Sequence, residues 1–278
     1  MNTSVNSEEL FFSQNGYLIK EGLLEEHLSE EVCKSLEDYG QGSFGMYSTI
    51  NNNKMIDILF HKKTHELLES IFGSEKYSLH HITSALHTKQ TPSLAWHHDQ
   101  VPTYSNNRKG LMVHCLIYPS GMNNEIGELL IIPGSHKWEV DRYQLAKIPF
   151  SALNKKTINK LGKGSVVFVD SSLIHARRSL AAKSKSSKRH FIDMSYCDGN
   201  LRWEPYLEAK ETWSNLFDTI LEKMPVSMHN RIGILDKEPY KNNNMIGILP
   251  GRIQKIYYLF KSYWYRKIIS QKFSKIES

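Results

Sequence analysis

The sequence predicts a mainly β core with helices on both sides, and two observations predict it. From Tyr77 to Asn200 the apolar residues fall in short runs, notably Leu111–Tyr118, Leu129–Ile132 and Ser165–Val169, divided by Pro, Gly and Asn. Short apolar runs bounded by turn residues read as buried strands, and several in succession read as a sandwich or barrel. Before and after this stretch the apolar spacing changes to a helical one.

In chain order, Met1–Asn15 carries Glu8 and Glu9 and lacks a basic start followed by an apolar run, so it does not read as a secretory leader. Glu25–Tyr39 spaces Leu28, Val32, Cys33 and Leu36 as one helical face, and Thr64–Phe72 behaves alike. Gly40–Gly45 between them is a turn-rich break. After the β stretch, Leu207–Met224 places Trp213, Leu216, Phe217, Ile220 and Leu221 on one helical side. Arg252–Phe273 mixes Lys255, Lys261, Arg266, Lys267 and Lys272 with apolar residues and contains no acid. Such a basic amphipathic helix fits either packing onto the core or a partner, or peripheral contact with a membrane surface. The expected organisation is one catalytic domain over 1–278, with an N-terminal helical region 1–76, a β core 77–200 and a C-terminal helical extension 201–278.

Composition narrows the class. A hydrophobic content of 40% with 11% aromatics suffices for a substantial core. Cys33, Cys115 and Cys197 are scattered and odd in number, which argues against a disulfide framework and for a reducing, cytoplasmic setting. No stretch approaches the roughly 18 uninterrupted apolar residues of a membrane span. The net charge of +6 raises nucleic acid as a partner, but zinc spacing, an RNA-recognition signature and a helix-turn-helix pattern are all lacking. The positive charge instead concentrates in the tail and between His175 and His190, where Arg177, Arg178, Lys183, Lys185, Lys188 and Arg189 occur with no acid. The two uses of such a run are a solvated loop and the capture of a small anionic substrate.

The chemistry-bearing stretch is Ala95-Trp96-His97-His98-Asp99-Gln100. On a strand, His97 and Asp99 face the same side and can both reach one metal ion. A second imidazole from a distant strand would complete the two-His-one-carboxylate set of non-haem iron(II) oxygenases, which leaves coordination positions open, and His175 is placed to supply it. Among 13 histidines an H-x-D triplet arises easily by chance, so the company it keeps matters. Gly127-Glu128-Leu129-Leu130-Ile131-Ile132-Pro133-Gly134-Ser135-His136 follows, then Gly164–Asp170 leading to His175, then Arg189 fourteen residues beyond His175 and seven before Tyr196.

These blocks, in this order over roughly residues 77 to 197, resemble the phytanoyl-CoA dioxygenase family of Fe(II)/2-oxoglutarate oxygenases, the Pro-Gly-Ser-His segment most specifically. The resemblance implies a double-stranded β-helix, a jelly roll of cupin-like form. It implies His97, Asp99 and His175 as iron ligands and catalytic residues, with Arg189 as the anchor for 2-oxoglutarate. Lys89, followed by Pro92, falls where the family has a basic residue near the co-substrate, and His114 about where it has an aromatic one. O2 is then the second co-substrate, succinate and CO2 the by-products, and ascorbate an auxiliary reductant. Asp99 favours hydroxylation over halogenation, because related halogenases have a small residue at its position. The chain departs from the family in a longer segment between the distal His and the Arg, and in lacking the small polar motif just after that His. Arg177 and Arg178 are the other candidates for the anchoring cation.

The implied function is hydroxylation of a small anionic metabolite, acidic sugar or acyl derivative. Its rivals are a non-catalytic jelly-roll binding module and an oxygenase acting on a membrane-linked acidic sugar such as that of lipopolysaccharide. His98 would face away from His97 as a packing or substrate-side residue, His136 reads as a structural hydrogen-bond donor, and His80, His81 and His87 read as core histidines. Oligomeric state is left open.

Overall fold

Alternating strands need two faces to bury, and this chain covers both faces of its main sheet. The structure is a computed structural model and describes residues 7–40, 42–73, 76–100, 110–138, 145–180, 187–200, 203, 220, 222–226 and 232–234. The helices are α1 (Ser7–Asn15), α2 (Glu26–Tyr39), α3 (Met46–Ile50), α4 (Asn53–Leu59) and α5 (Lys62–Phe72). The first strands are β1 (Tyr17–Lys20), β2 (Gly42–Phe44), β3 (Tyr77–His87), β4 (Leu94–His97), β5 (Met112–Tyr118) and β6 (Met122–Asn123). They are followed by β7 (Gly127–Ile131), β8 (Lys156–Ile158), β9 (Lys160–Leu161), β10 (Ser165–Asp170), β11 (His175–Ser179), β12 (Arg189–Asp198) and β13 (Ile232–Ile234).

Seven strands form the larger sheet, ordered β1-β10-β5-β12-β3-β13 with β2 also on β3, and β4-β11-β7-β8 form the smaller one. Pairing is antiparallel except for β13 on β3. The period of two sorts the side chains into three layers. Val166, Phe168, Cys115, Ile117, Ile192 and Met194 of the larger sheet pack against helical residues such as Leu28, Val32, Leu36, Ile58 and Leu68. The opposite face contributes Tyr17, Leu116, Tyr118, Val167 and Val169 to a second cluster shared with Leu129, Ile131 and Ile158 of the smaller sheet. The sheets therefore face one another across that cluster. Trp96, Leu130, Ile132, Ile174 and Ala176 pack on the outer side of the smaller sheet.

The expected helices at Glu25–Tyr39 and Thr64–Phe72 form as α2 and α5, the latter beginning two residues earlier. The three apolar runs form β5, β7 and β10. Gly40–Gly45 is more than a break, since Gly42–Phe44 pairs with Ser84–Leu86 at the end of β3. Region 1–76 likewise is not wholly helical, because β1 joins the larger sheet beside β10. Backbone pairing, which a four-residue strand does not announce in its side chains, decided both. The helical side at Leu207–Met224 lies largely outside the described residues, although Ile220 and Met224 are buried in the helix-side core. Arg252–Phe273 lies outside them entirely. Among the described residues, no helix is long and apolar enough to cross a membrane.

Candidate metal centre

Strand β4 ends at His97, so Asp99 lies just past the strand instead of on it. It is held in line because its N–H donates to the Ser171 carbonyl at 2.7 Å, across the turn that leads into β11. His175, the first residue of β11, sits opposite His97 on β4 and Ile131 on β7. A turn and a three-strand register thereby bring together residues nearly eighty positions apart. The two imidazole rings lie 4.2 Å apart between centroids. His175 Nε2 is 3.1 Å from one Asp99 oxygen, and His97 Nε2 is 3.5 Å from the other.

The ring orientations are set locally. His97 Nδ1 donates to the Ala95 carbonyl at 2.7 Å and His175 Nδ1 to the Leu173 carbonyl at 2.9 Å. Each Nδ1 proton is therefore engaged, and each Nε2 is turned toward the carboxylate as the atom left to bind a metal, the arrangement that metal-binding imidazoles adopt. The three ligand atoms lie within 4.8 Å of one another. Metal–ligand bonds of about 2.0–2.2 Å put neighbouring donors roughly 3 Å apart, so a divalent ion fits with little adjustment. Burial pushes the Asp99 carboxyl up, but His175, with His114 and His97, holds it well below the usual carboxylate range. The donor set is a carboxylate with two imidazoles, the set suited to iron(II).

The Pro-Gly-Ser-His segment builds the turn beneath His175. Gly134 takes φ 77°, a left-handed conformation natural to glycine. Its N–H donates to the Asn15 carbonyl, and Ser135 Oγ accepts the Ile174 N–H at 2.8 Å. His136 Nε2 donates to the Ser13 carbonyl at 3.1 Å, the structural role expected of it. His98 is buried, as is His80.

Further along the inner face lie the other polar residues. His114 Nδ1 donates to Asp193 Oδ1 at 2.9 Å, and its Nε2 is buried without a hydrogen bond. Burial works to lower the His114 pKa, yet the adjoining Asp193 carboxylate, helped by Asp99 and Asp170, raises it to about 9. Arg189 is 5% exposed and lies opposite His87 in the β12–β3 register. Its Nη2 is 3.1 Å from His87 Nδ1, while Arg177 Nη1, from β11, is 3.0 Å from His87 Nε2. Burial, then the two guanidiniums, hold the His87 pKa down at about 3.

His87 is therefore more than a core histidine, and Arg177 stands beside Arg189 instead of replacing it. Neither His87 nor Asp193 carried a sequence signal beyond its place in a strand. The acid-free run does not form one cationic surface: Arg178 pairs with Glu128 on the outer side of the smaller sheet, and Lys188 pairs with Glu37 at 3.2 Å. Lys183 and Lys185 lie outside the described residues. Lys89 is exposed in the turn after β3. Tyr196 faces the helical layer, where its hydroxyl donates to the Leu59 carbonyl at 3.0 Å.

Fold and centre together define an Fe(II)/2-oxoglutarate-dependent oxygenase. The chain matches the model of the phytanoyl-CoA dioxygenase (PhyH) family over residues 12–190, well over half its length, and belongs to that family. Among solved structures it is similar to the non-haem alpha-ketoglutarate-dependent carbocyclase SnoK from nogalamycin biosynthesis, at 17% identity and TM-score 0.60, covering 77% of this chain and 91% of that one. The epimerase SnoN, in complex with Fe3+, alpha-ketoglutarate and nogalamycin RO, aligns at 16% identity and TM-score 0.58 over 71% of this chain and 85% of that one. HygX from Streptomyces hygroscopicus, with nickel and 2-oxoglutarate bound, aligns at 15% identity and TM-score 0.55, covering 73% and 88%. At such identities the likeness establishes shared fold. No curated protein matches the sequence.

Proposed function

We propose that this oxygenase hydroxylates a small anionic metabolite, acidic sugar or acyl derivative, with His97, Asp99 and His175 as its iron ligands. The observation that carries the ligand assignment is the meeting of three donor atoms on the inner face, each imidazole turned by a backbone carbonyl. Bound iron(II) would supply oxidative decarboxylation of 2-oxoglutarate coupled to oxidation of a substrate C–H bond. The protein's part is to orient the three donors and keep the co-substrate fixed. Arg189, buried on the same face, takes the distal carboxylate of 2-oxoglutarate, for which a planar fork of donors is well suited. His114, kept protonated by Asp193, offers its second N–H to the carboxylate at the metal end. Lys89, exposed at the rim, steers the anion by charge.

The anionic character of the primary substrate rests on the net charge of +6, since within the acid-free run Arg178 and Lys188 are already paired with acids. Two observations support the double-stranded β-helix. The chain passes from the larger sheet to the smaller and back through β3, β4, β5, β7, β10, β11 and β12, and the two inner faces share one apolar cluster. The test is anaerobic titration of the protein with Fe(II) and 2-oxoglutarate. A weak visible charge-transfer band, lost in His97→Ala, is the expected result; a folded protein with no band would return the assignment to a binding module. Substrate class is then tested by succinate release in a screen of anionic and neutral compounds.

A further inference from the structure

Arg177 and Arg189 come from different sheets and meet at one imidazole. Both offer hydrogen-bond donors alone, whereas a neutral imidazole has one N–H and one lone pair. His87 therefore accepts from one guanidinium and must face the other donor to donor, although both approach to 3.0–3.1 Å. Among the described residues no acid pairs with either arginine, and burial, then the like charge of Arg189, lowers the pKa of Arg177. The Nε of both is buried without a hydrogen bond. Arg177 is nevertheless held firmly, since its Nη2 also donates to the Pro92 carbonyl at 2.9 Å. A buried guanidinium beside a half-buried one, each with a buried Nε lacking a partner, calls for an anion.

We propose that Arg177 and Arg189 form one clamp for the distal carboxylate of 2-oxoglutarate, both guanidiniums donating to it, with His87 between them holding them in place. The proposal rests on the oxygenase reading for its ligand and goes beyond it in adding Arg177 and His87. A carboxylate presents about four lone-pair sites, enough for both guanidiniums. Its span also fits. Arg177 follows His175 by two residues on the same face of β11, a step of about 7 Å along a strand. That is near the length of a five-carbon oxo diacid with its keto end at the metal. His87 is a positioning residue: stacked on Phe191 at 5.3 Å, it holds the two guanidiniums on either side of one point. Arg177 stands where the family has a small polar residue after the distal His, so the second guanidinium is a property of this chain.

The test is anaerobic calorimetry on the Fe(II)-loaded, full-length protein with 2-oxoglutarate and with 2-oxopentanoate, which lacks the distal carboxylate. Arg177→Met and Arg189→Met are each expected to weaken 2-oxoglutarate on the order of 30- to 100-fold, the range of charge-assisted hydrogen bonds. Both should leave 2-oxopentanoate within about 2-fold of wild type, since the removed donors never touch it. Should Arg177→Met fail to fold, Arg177→Lys keeps the charge but loses the fork, and a roughly 10-fold loss is expected. Wild-type affinity for 2-oxoglutarate in the Arg177 variants, with Arg189→Met impaired, overturns the clamp and leaves the oxygenase intact. Equal weakening of both ligands overturns it too, as a merely structural effect. If wild type binds no 2-oxoglutarate, the oxygenase reading fails, and glutarate with metal-free protein decides the clamp: a rise in Tm abolished by either Met variant sustains it, and no rise removes it.

Discussion

Two polar clusters share the inner face of this protein, and they are opposites in charge balance. At His97, Asp99 and His175 the groups answer one another, each imidazole turning its Nε2 to one oxygen of the carboxylate. At Arg177, His87 and Arg189 every outward group but one is a hydrogen-bond donor, and no acid among the described residues compensates the two cations. The first is assembled to receive a cation and the second an anion. A small number of residues, separated by two positions on β11, can therefore present a metal ion and an acidic co-substrate with complementary surroundings.

Removing a donor from the cation-receiving cluster should have the largest effect. Alanine at His97, Asp99 or His175 is expected to abolish 2-oxoglutarate-dependent succinate formation and metal retention together, with the fold kept, as read by metal analysis and circular dichroism; full activity after His175→Ala would break the ligand assignment. Arg189→Ala comes next. Its expected signature is a rise in the 2-oxoglutarate requirement on the order of 100-fold, with Fe(II) affinity unchanged, and a loss of both would mean the two clusters are one.

The histidines beside each cluster sharpen the contrast through pH. His114, raised to about 9 by Asp193 against its burial, stabilises the fold fully below the unfolded value near 6.5. That contribution, on the order of 3 kcal/mol, is lost as pH rises from there through about 9. His87, lowered to about 3 by burial and two arginines, behaves oppositely: it costs nothing above pH 6.5 and stability falls as pH drops toward 3. Chemical denaturation from pH 5 to 9.5 should show losses at both ends, and Asp193→Asn should flatten the alkaline one. An unchanged alkaline limb would dissociate His114 from Asp193.

Smaller effects lie outside the clusters. Ser135→Ala removes the acceptor of the buried Ile174 N–H and should lower stability by about 1–3 kcal/mol with a modest loss of metal affinity through His175. Lys89→Ala should change 2-oxoglutarate affinity by no more than about 3-fold, and only at low salt, because an exposed charge is screened within about 10 Å. A larger, salt-independent loss would place Lys89 in the site itself.

Much of this was legible before any coordinates. The apolar runs that became β5, β7 and β10 bury alternate residues on both faces, so their composition alone marked them as strands. His97 and Asp99 are neighbours in sequence, and the Pro-Gly-Ser-His turn needs a glycine at φ 77° and a hydroxyl at Ser135, both local requirements that leave residues behind. β1 and β2 were not legible, since strands of four and three residues are fixed by the edges they join. Arg177 was visible only as one cation in a run of six, and Arg178 beside it looked equivalent. Strand alternation separated them, turning Arg177 inward to His87 and Arg178 outward to Glu128.

By itself, then, the sequence determined the family, the β core and the three residues that meet at the candidate metal centre, because ligand chemistry and turn geometry demand particular residue types at particular places. Tertiary structure decided which cations are paired and which are left for a ligand, and that His87 stands between two guanidiniums. Those properties depend on the register between β3 and β12, whose partners lie more than a hundred positions apart, and on the packing of β11 from the other sheet. A charge shows its sign in the sequence; its partner is set by the packing of the two sheets.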